Sequence, residues 1–300
     1  MSDKRRAHGI FNINKPYGLT SHDVVAEVRR LLDVRRVGHA GTLDPIATGV
    51  LLVCVGQATR VAEYLMRGEK LYHATFHLGI ETDTYDATGR VVRETPLPAL
   101  SVEEIERALE QLRPMKQQLP PPFSAVRQGG ERLYRLARRG IAVQLKPRSI
   151  EIIALEMRAW QPPLLTLEVR CSPGTYVRSL AHDLGVLLGV GAHVCALQRR
   201  ASGAWRIEEA ITLEQLRTAV VQGEWMQYLH PLDTALQDLP RLEVTEEMAM
   251  RVTQGQWVSI PDAPAAFPLR IYTPDGNLRA LLRPADDKPG WWQPDKVFLL

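Results

Sequence analysis

GHAGTLDPIATGVLLVCVGQATR, residues Gly38 to Arg60, joins a glycine-punctuated loop holding one carboxylate to an uninterrupted apolar run, Val50 to Val55. The run has the length and branching of a buried strand. The residue before a proline is pushed out of the helical region, so Pro45 keeps Asp44 in an extended or turn backbone. Gly38, Gly41 and Gly49 permit backbone angles or close approaches that other residues resist. The stretch therefore predicts one acid on a shaped loop at the edge of a core strand, and any chemistry should sit at Asp44. An Asp-Pro standing alone is more often a turn or a helix cap than a catalyst.

The whole string says more. GHxGTLDPxAxGVLxxxxGxATR resembles the active-site motif of the TruB family, the tRNA pseudouridine synthases that modify uridine 55 in the T loop. The resemblance implies that Asp44 is the catalytic carboxylate and that His39, five residues earlier, binds substrate by inserting into the T loop. It also implies that Lys15 and Pro16, in a KPxGxTS string (KPYGLTS here), support the loop rather than take part in the chemistry. A loop histidine by itself is more often solvated or hydrogen-bonded than functional.

Composition sets wide bounds. The chain has 300 residues, 45% hydrophobic and 24% charged, with a net charge of +3. These values are ordinary for a globular protein with a sizeable core. No apolar run approaches the length needed to span a bilayer, and MSDKRRAHG lacks the apolar segment of a signal peptide, so a cytoplasmic protein is expected. Cys54, Cys171 and Cys195 are widely spaced in apolar surroundings and predict reduced thiols rather than a disulfide framework or zinc site. The eight histidines show no metal-ligand spacing, and Ser21-His22-Asp23 only imitates a triad. No metal and no cofactor are expected.

Charge distribution is more informative than net charge. Seven basic residues between Arg127 and Arg148 stand against Glu131 alone, a local +6 that leaves the rest of the chain at −3. Positive potential concentrated in this way suits a polyanion. Pro120 to Pro122 stiffen the approach, Gly129 and Gly130 allow a turn, and a short basic helix should follow. A basic run by itself is usually a solvated helix face. This one resembles the family's QxPPxYSAxKxxGxxxYxxAR insertion, which closes over the T arm, so Arg127, Arg132, Arg135, Arg138 and Arg139 inherit an RNA-binding role. Phe123 replaces the usual tyrosine and Arg127 the usual lysine. Aromatic packing and charge survive, but the hydroxyl and the point-like ammonium do not.

Other segments are read from period and caps. Gly9 to Lys15 reads as a strand despite poor alternation. Val24, Val25, Val28, Leu31 and Leu32 make one face of a helix capped by Thr20 or Ser21, and Ser101 with Glu104 forms a capping box before a second amphipathic helix. Lys70 to Leu78 alternates as a half-exposed strand with Tyr72 on its core face. There the ring would simply pack, but the matching KxYxAxxxLG string implies that Tyr72 lies against the target base. Gly79, Thr82, Thr84 and Asp86 continue the family pattern.

Leu164 to Cys171 is a further strand, followed by a helix from Thr175 to Leu188 whose apolar stripe leaves Arg178 aside. A cation in the first helical turn opposes the macrodipole, so an anion should compensate it. CSxGTYVRSLxxDLG resembles the family segment whose arginine pairs with the catalytic aspartate, which implies an Arg178–Asp44 ion pair and a substrate-binding Tyr176. GAHVCALQRRAS likewise implies that Leu197 packs on the substrate ring, although by itself it would be core.

From about Arg241 the texture changes to a helix over Val244 to Gln254 and short strands at Trp257 to Ile260, Leu269 to Tyr272, Leu278 to Leu282 and Val297 to Leu299, with a hairpin at Pro274 to Asn277. This resembles the small PUA-type β-barrel of many TruB enzymes. The expected fold is α/β of the α+β type: a mixed, largely antiparallel sheet with flanking helices over 1–235, a basic insertion at 116–150, and a small β-rich RNA-binding domain over 241–300. The implied protein is a monomeric isomerase that converts uridine 55 of the tRNA T stem-loop to pseudouridine on a flipped-out base. A non-catalytic tRNA-binding or tRNA-folding protein, or the same chemistry on another RNA, are the alternatives.

Overall fold

The computed structural model describes residues 7–123, 127–128, 131–132, 145–261, 263–264 and 266–299, with backbone alone for 127–128 and 131–132. Its centre is an eight-stranded mixed sheet. Six strands follow one another in the order Gly9–Lys15, Ala47–Val55, Ala192–Ser202, Lys70–Leu78, Leu164–Cys171 and Ile152–Gln161, while Val37–Ala40 pairs with Ala47–Val55 and Trp205–Arg206 with Ala192–Ser202. All of these pairings are antiparallel except that of Ala192–Ser202 with Ala47–Val55.

That parallel contact is close enough to require glycine. A Cβ at Gly49, where φ is +98°, would lie 2.3 Å from the carbonyl oxygen of Arg199. With no side chain there, the register Leu197↔Ala47 and Arg199↔Gly49 is accessible, and the other edge of the same strand pairs Leu197 with Ala74 and Arg199 with Tyr72. Directly opposed residues share a face of the pleat. Tyr72, Leu197 and Arg199 are thereby gathered on one face, beside the loop that carries Asp44.

Alternation along Ala47–Val55 sends its two faces into different core clusters. Leu51, Val53 and Val55 join Phe11, Ile13, Tyr72, Ala74 and Phe76 beneath the helices Ser21–Leu32, Val102–Leu112, Val177–Leu187 and Leu213–Gln222. Val50, Leu52 and Cys54 point the other way, toward Ile10, Leu65, Trp205, Leu232, Tyr272, Leu278, Leu281 and Phe298. Tyr272, Leu278 and Leu281 belong to a second, five-stranded sheet of order Arg241–Glu243, Leu269–Tyr272, Leu278–Pro284, Trp291–Val297 and Val258–Ser259, and Phe298 directly follows its strand Trp291–Val297. This sheet thus covers the back of the central one.

Helix ends follow their caps. Thr20 and Ser101 accept from the backbone N–H of Asp23 and Glu104, whose carboxylates return to the cap N–H groups. The strand expected at 297–299 forms instead over Trp291–Val297, where no polar–apolar alternation announces it. The helix expected from Thr175 begins at Val177 because the side chain of Gln118 binds the backbone of Tyr176, accepting from its N–H at 2.8 Å and donating to its carbonyl at 3.1 Å. The basic helix expected within 131–140 lies outside the described residues; what is described there is an antiparallel pairing of Arg127–Gln128 with Glu131–Arg132. Among the described residues no helix is long and apolar enough to cross a membrane.

Candidate active site

The loop from Gly41 to Ile46 is braced from beneath. Lys15, completely buried, donates to the carbonyls of Pro16 (2.9 Å), Leu19 (2.6 Å) and Pro45 (3.4 Å). Ser21 Oγ donates to the Leu43 carbonyl and accepts from the Leu43 N–H, and the Gly18 N–H reaches the Pro45 carbonyl at 2.9 Å. The turn after the first strand and the start of the first long helix therefore hold this loop largely through main-chain carbonyls, a rigid arrangement that leaves the Asp44 carboxylate to face outward.

Arg178 meets that carboxylate. Its Nη2 donates to Asp44 Oδ1 at 3.1 Å and its Nε stands 2.9 Å from Oδ2. Nη1 reaches the Thr84 carbonyl at 3.1 Å and Asp86 Oδ2 at 3.3 Å, and Nη2 also donates to the Phe123 carbonyl at 3.2 Å. The guanidinium is thus enclosed by two carboxylates and two carbonyls. Its helical position lies off the apolar stripe, but its side chain is only 5% exposed, because it runs from the first helical turn into the junction of three segments. Both carboxylates offset the opposed helix dipole.

Asp86 is the component that sequence reasoning did not assign. Its Oδ1 accepts from Thr84 Oγ1, Thr88 N and Thr88 Oγ1, while Thr82 Oγ1 holds its carbonyl. This hydroxyl cage fixes an anion that is 5% exposed behind Arg178, so the arginine is oriented from both sides. The recurrence of threonine two residues before and after Asp86 is the local signal that marks such a cage.

Asp44 keeps a third of its side chain, 33%, open to solvent. Burial in the cleft pushes its pKa above the ordinary carboxylate value; Arg178 and Lys15 pull it down and Asp86 adds to the rise. A guanidinium against both oxygens and solvent at one side favour the ionised carboxylate against that rise. Burial also raises the phenol of Tyr72, with Arg199 opposing.

A cavity of about 280 Å³ opens in front of Asp44. Tyr72, Tyr176, Arg178 and Leu197 line it, together with Lys70 and Arg199. Five of the residues singled out from sequence are therefore brought to one place. His39 is not part of that lining: it sits on the strand leading into the loop, its ring edge-to-face with His22 at a centroid distance of 5.5 Å. The side chains of Arg127 and Arg132, and all of Arg135, Arg138 and Arg139, lie outside the described residues. Cys54 and Cys171 are buried and Cys195, half-buried, donates to the Thr75 carbonyl. Among the described residues no cluster of His, Cys, Asp or Glu has the arrangement of a metal site.

Comparison with known proteins places these features in a wider group. The N-terminal domain of TruB family pseudouridylate synthases matches residues 29–177, and the C-terminal domain of tRNA pseudouridylate synthase B matches residues 178–237. The tRNA pseudouridine synthase B of Dehalococcoides mccartyi strain BAV1 is 40% identical over 291 residues, 97% of this chain and 96% of its own. Those of Syntrophobacter fumaroxidans and Symbiobacterium thermophilum are 42% and 46% identical, covering 96% and 82% of this chain and 94% and 82% of their own. Among solved structures, a chain of a Cbf5-Nop10-Gar1 complex superposes with a TM-score of 0.73 at 27% identity, over 97% of this chain and 85% of its own. A chain of an H/ACA RNP bound to a substrate RNA containing 2'-deoxyuridine gives 0.71 at 25%, with the same coverage.

Proposed function

The chain belongs to the TruB family of pseudouridylate synthases, and from that membership we propose that it isomerises uridine 55 in the T loop of tRNA to pseudouridine, with Asp44 as the reacting carboxylate. The observation that carries the assignment of Asp44 is its pairing with Arg178 at the wall of a cavity that Tyr72 and Leu197 also line. The reaction breaks the bond from N1 of the base to C1′ of ribose, turns the base, and rejoins it through C5. Attack on the ring, attack on C1′ and removal of a ribose proton are the routes open to the carboxylate, and each needs it ionised and touching the nucleotide. Arg178 supplies the first condition.

The second requires that the base leave the T loop, since the cavity admits a nucleotide and not a helix. Extrusion costs a few kcal/mol, recovered by stacking and phosphate contacts. Tyr72 and Leu197 clasp the ring, Tyr176 lines the entry, His39 holds the emptied loop, and the arginines of the 116–150 insertion and the PUA-like sheet at 241–300 grip the backbone. On this reading the protein acts in the cytoplasm as a monomer. Incubating unmodified tRNA with the protein alone, then mapping pseudouridine by nucleotide position, tests the proposal: product at position 55 that disappears with uridine 55→cytidine is expected, and product elsewhere or none overturns it.

A further inference from the structure

Buried cations around the cavity outnumber the carboxylates that face them. Arg178 is matched by Asp44 and Asp86. Lys15, Lys70 and Arg199 are 0%, 6% and 1% exposed and, among the described residues, have no carboxylate within ion-pair distance. Their acceptors are main-chain carbonyls. Lys15 spends its donors on Pro16, Leu19 and Pro45 behind the loop. Arg199 donates to the carbonyls of Val50 (2.7 Å), Gly41 (3.0 Å) and Thr42 (3.5 Å), and so ties the start of the loop to the strand behind it. Lys70 donates to Gly68 (2.6 Å) and Met66 (3.2 Å), which leaves a third donor for the cavity it lines.

Lys70 and Arg199 stand on either side of Tyr72. Lys70 precedes it by two residues on the same face of the strand, and Arg199 is its cross-strand partner. A desolvated cation without a counter-charge is costly to hold, and the cost is offset when an anion arrives beside it. Burial, with Arg199 adding, brings the Lys70 pKa down to about 8, as an ammonium short of counter-charge should show. Phosphates lie on the outside of a folded RNA and are met by surface cations. Cations flanking Tyr72 in the cavity lining are placed for an anion that forms on the base.

We propose that Lys70, with Arg199 behind it, stabilises the uracil anion released when the N1–C1′ bond breaks. The inference rests on the pseudouridine reading above. When that bond breaks its electron pair leaves with the base and spreads from N1 over O2 and O4, while C1′ becomes electron-poor. The charge is extinguished when C5 bonds to C1′ and the C5 proton is lost as N1 gains one, so no further reactant is needed. Lys70 faces the charge during its lifetime and takes no proton.

A structural role predicts something different. Met66 and Gly68 end the helix Ala62–Arg67, and a lysine that merely caps it would stabilise the fold and affect every substrate alike. The test is therefore single-turnover cleavage of the N1–C1′ bond at saturating RNA, with uridine or 5-fluorouridine at the target position, since fluorine makes the departing base a more stable anion. Lys70→Gln keeps two N–H donors for the carbonyls and loses the charge, Lys70→Met is a second neutral variant, and Lys70→Arg keeps the charge.

The neutral variants should slow uridine cleavage on the order of 100-fold and 5-fluorouridine cleavage by less than about 10-fold. RNA affinity should be unchanged, and Lys70→Arg should recover most of the uridine rate. Equal slowing on the two bases, or an unchanged uridine rate in a folded neutral variant, overturns the proposal. Wild-type protein that forms no pseudouridine in any tRNA would instead remove the reading on which it rests.

Discussion

Replacing Asp86 by asparagine isolates the support of the active site from its chemistry. Asp86 Oδ1 collects three donors and Oδ2 faces Arg178, whereas an asparagine offers one oxygen and one NH₂. The Thr88 N–H can only donate, so the amide oxygen must take the threonine side and the NH₂ must face the guanidinium, donor against donor. Removing one partner of a buried ion pair costs 3–5 kcal/mol; because Asp44 still compensates Arg178, we expect about 3 kcal/mol. For a chain of this size that lowers the melting temperature by roughly 5 °C.

The arginine is then anchored on one side only, and a shift of about 1 Å in the carboxylate it holds slows the bound reaction by roughly 100-fold. RNA binding should not change, since Asp86 is buried. Release of tritium from C5-labelled uridine in tRNA under single-turnover conditions, beside a thermal melt and a binding titration, reads all three quantities. A normal rate, or a loss of affinity as large as the loss of rate, would refute the reasoning.

Asp44→Asn should bind tRNA normally and form no pseudouridine; near-normal single-turnover product would remove Asp44 from the chemistry. The rate of the bound step should rise with pH through an apparent pKa above the ordinary carboxylate value, and Asp86→Asn should move that limb to lower pH by removing one cause of the rise; an unmoved limb would contradict the assignment. Neutralising Arg132, Arg135, Arg138 and Arg139 together should weaken tRNA binding and reduce its salt slope by roughly 0.7–0.9 for each phosphate no longer neutralised, and an unchanged slope would put the RNA elsewhere. Truncation after residue 240 should lower the melting temperature of the remaining unit, because it uncovers Leu65, Trp205 and Leu232; an equal melting temperature in the two forms would show that the shared core contributes nothing.

Strands with one covered face were legible from alternation, and Lys70–Leu78 and Leu164–Cys171 have the bounds expected of them. Gly9–Lys15 alternates poorly because both its faces are covered and because His230 and Ile211 pair with its outer edge. Asp44, Tyr72 and Arg178 could be found because each stands at a position to which the family resemblance attaches a role. Asp86 and Arg199 could not be assigned from period or composition. The first meets Arg178 across 92 positions, and the second is a fully buried arginine in a strand, a placement hydropathy argues against. Both depend on a sheet order in which Ala192–Ser202 inserts between Ala47–Val55 and Lys70–Leu78, a parallel contact that no short-range pattern specifies.

The same hydrogen-bond pattern constrains where substrate selection can occur. Lys15, Ser21, Gln118, Asp86 and most of Arg178 are committed to one another and to carbonyls, so the cavity is preorganised and spends few of its polar groups on recognising a base. A site of this kind lowers the barrier for any uridine that reaches it, because its electrostatics are already in place before the nucleotide arrives. It cannot by itself choose among uridines that differ only in their surroundings. That choice must come from surfaces outside the cavity that meet phosphates and neighbouring bases. Discrimination is therefore expected to be lost by changes at the rim and in the basic insertion that leave the rate on a short, already unstacked RNA intact.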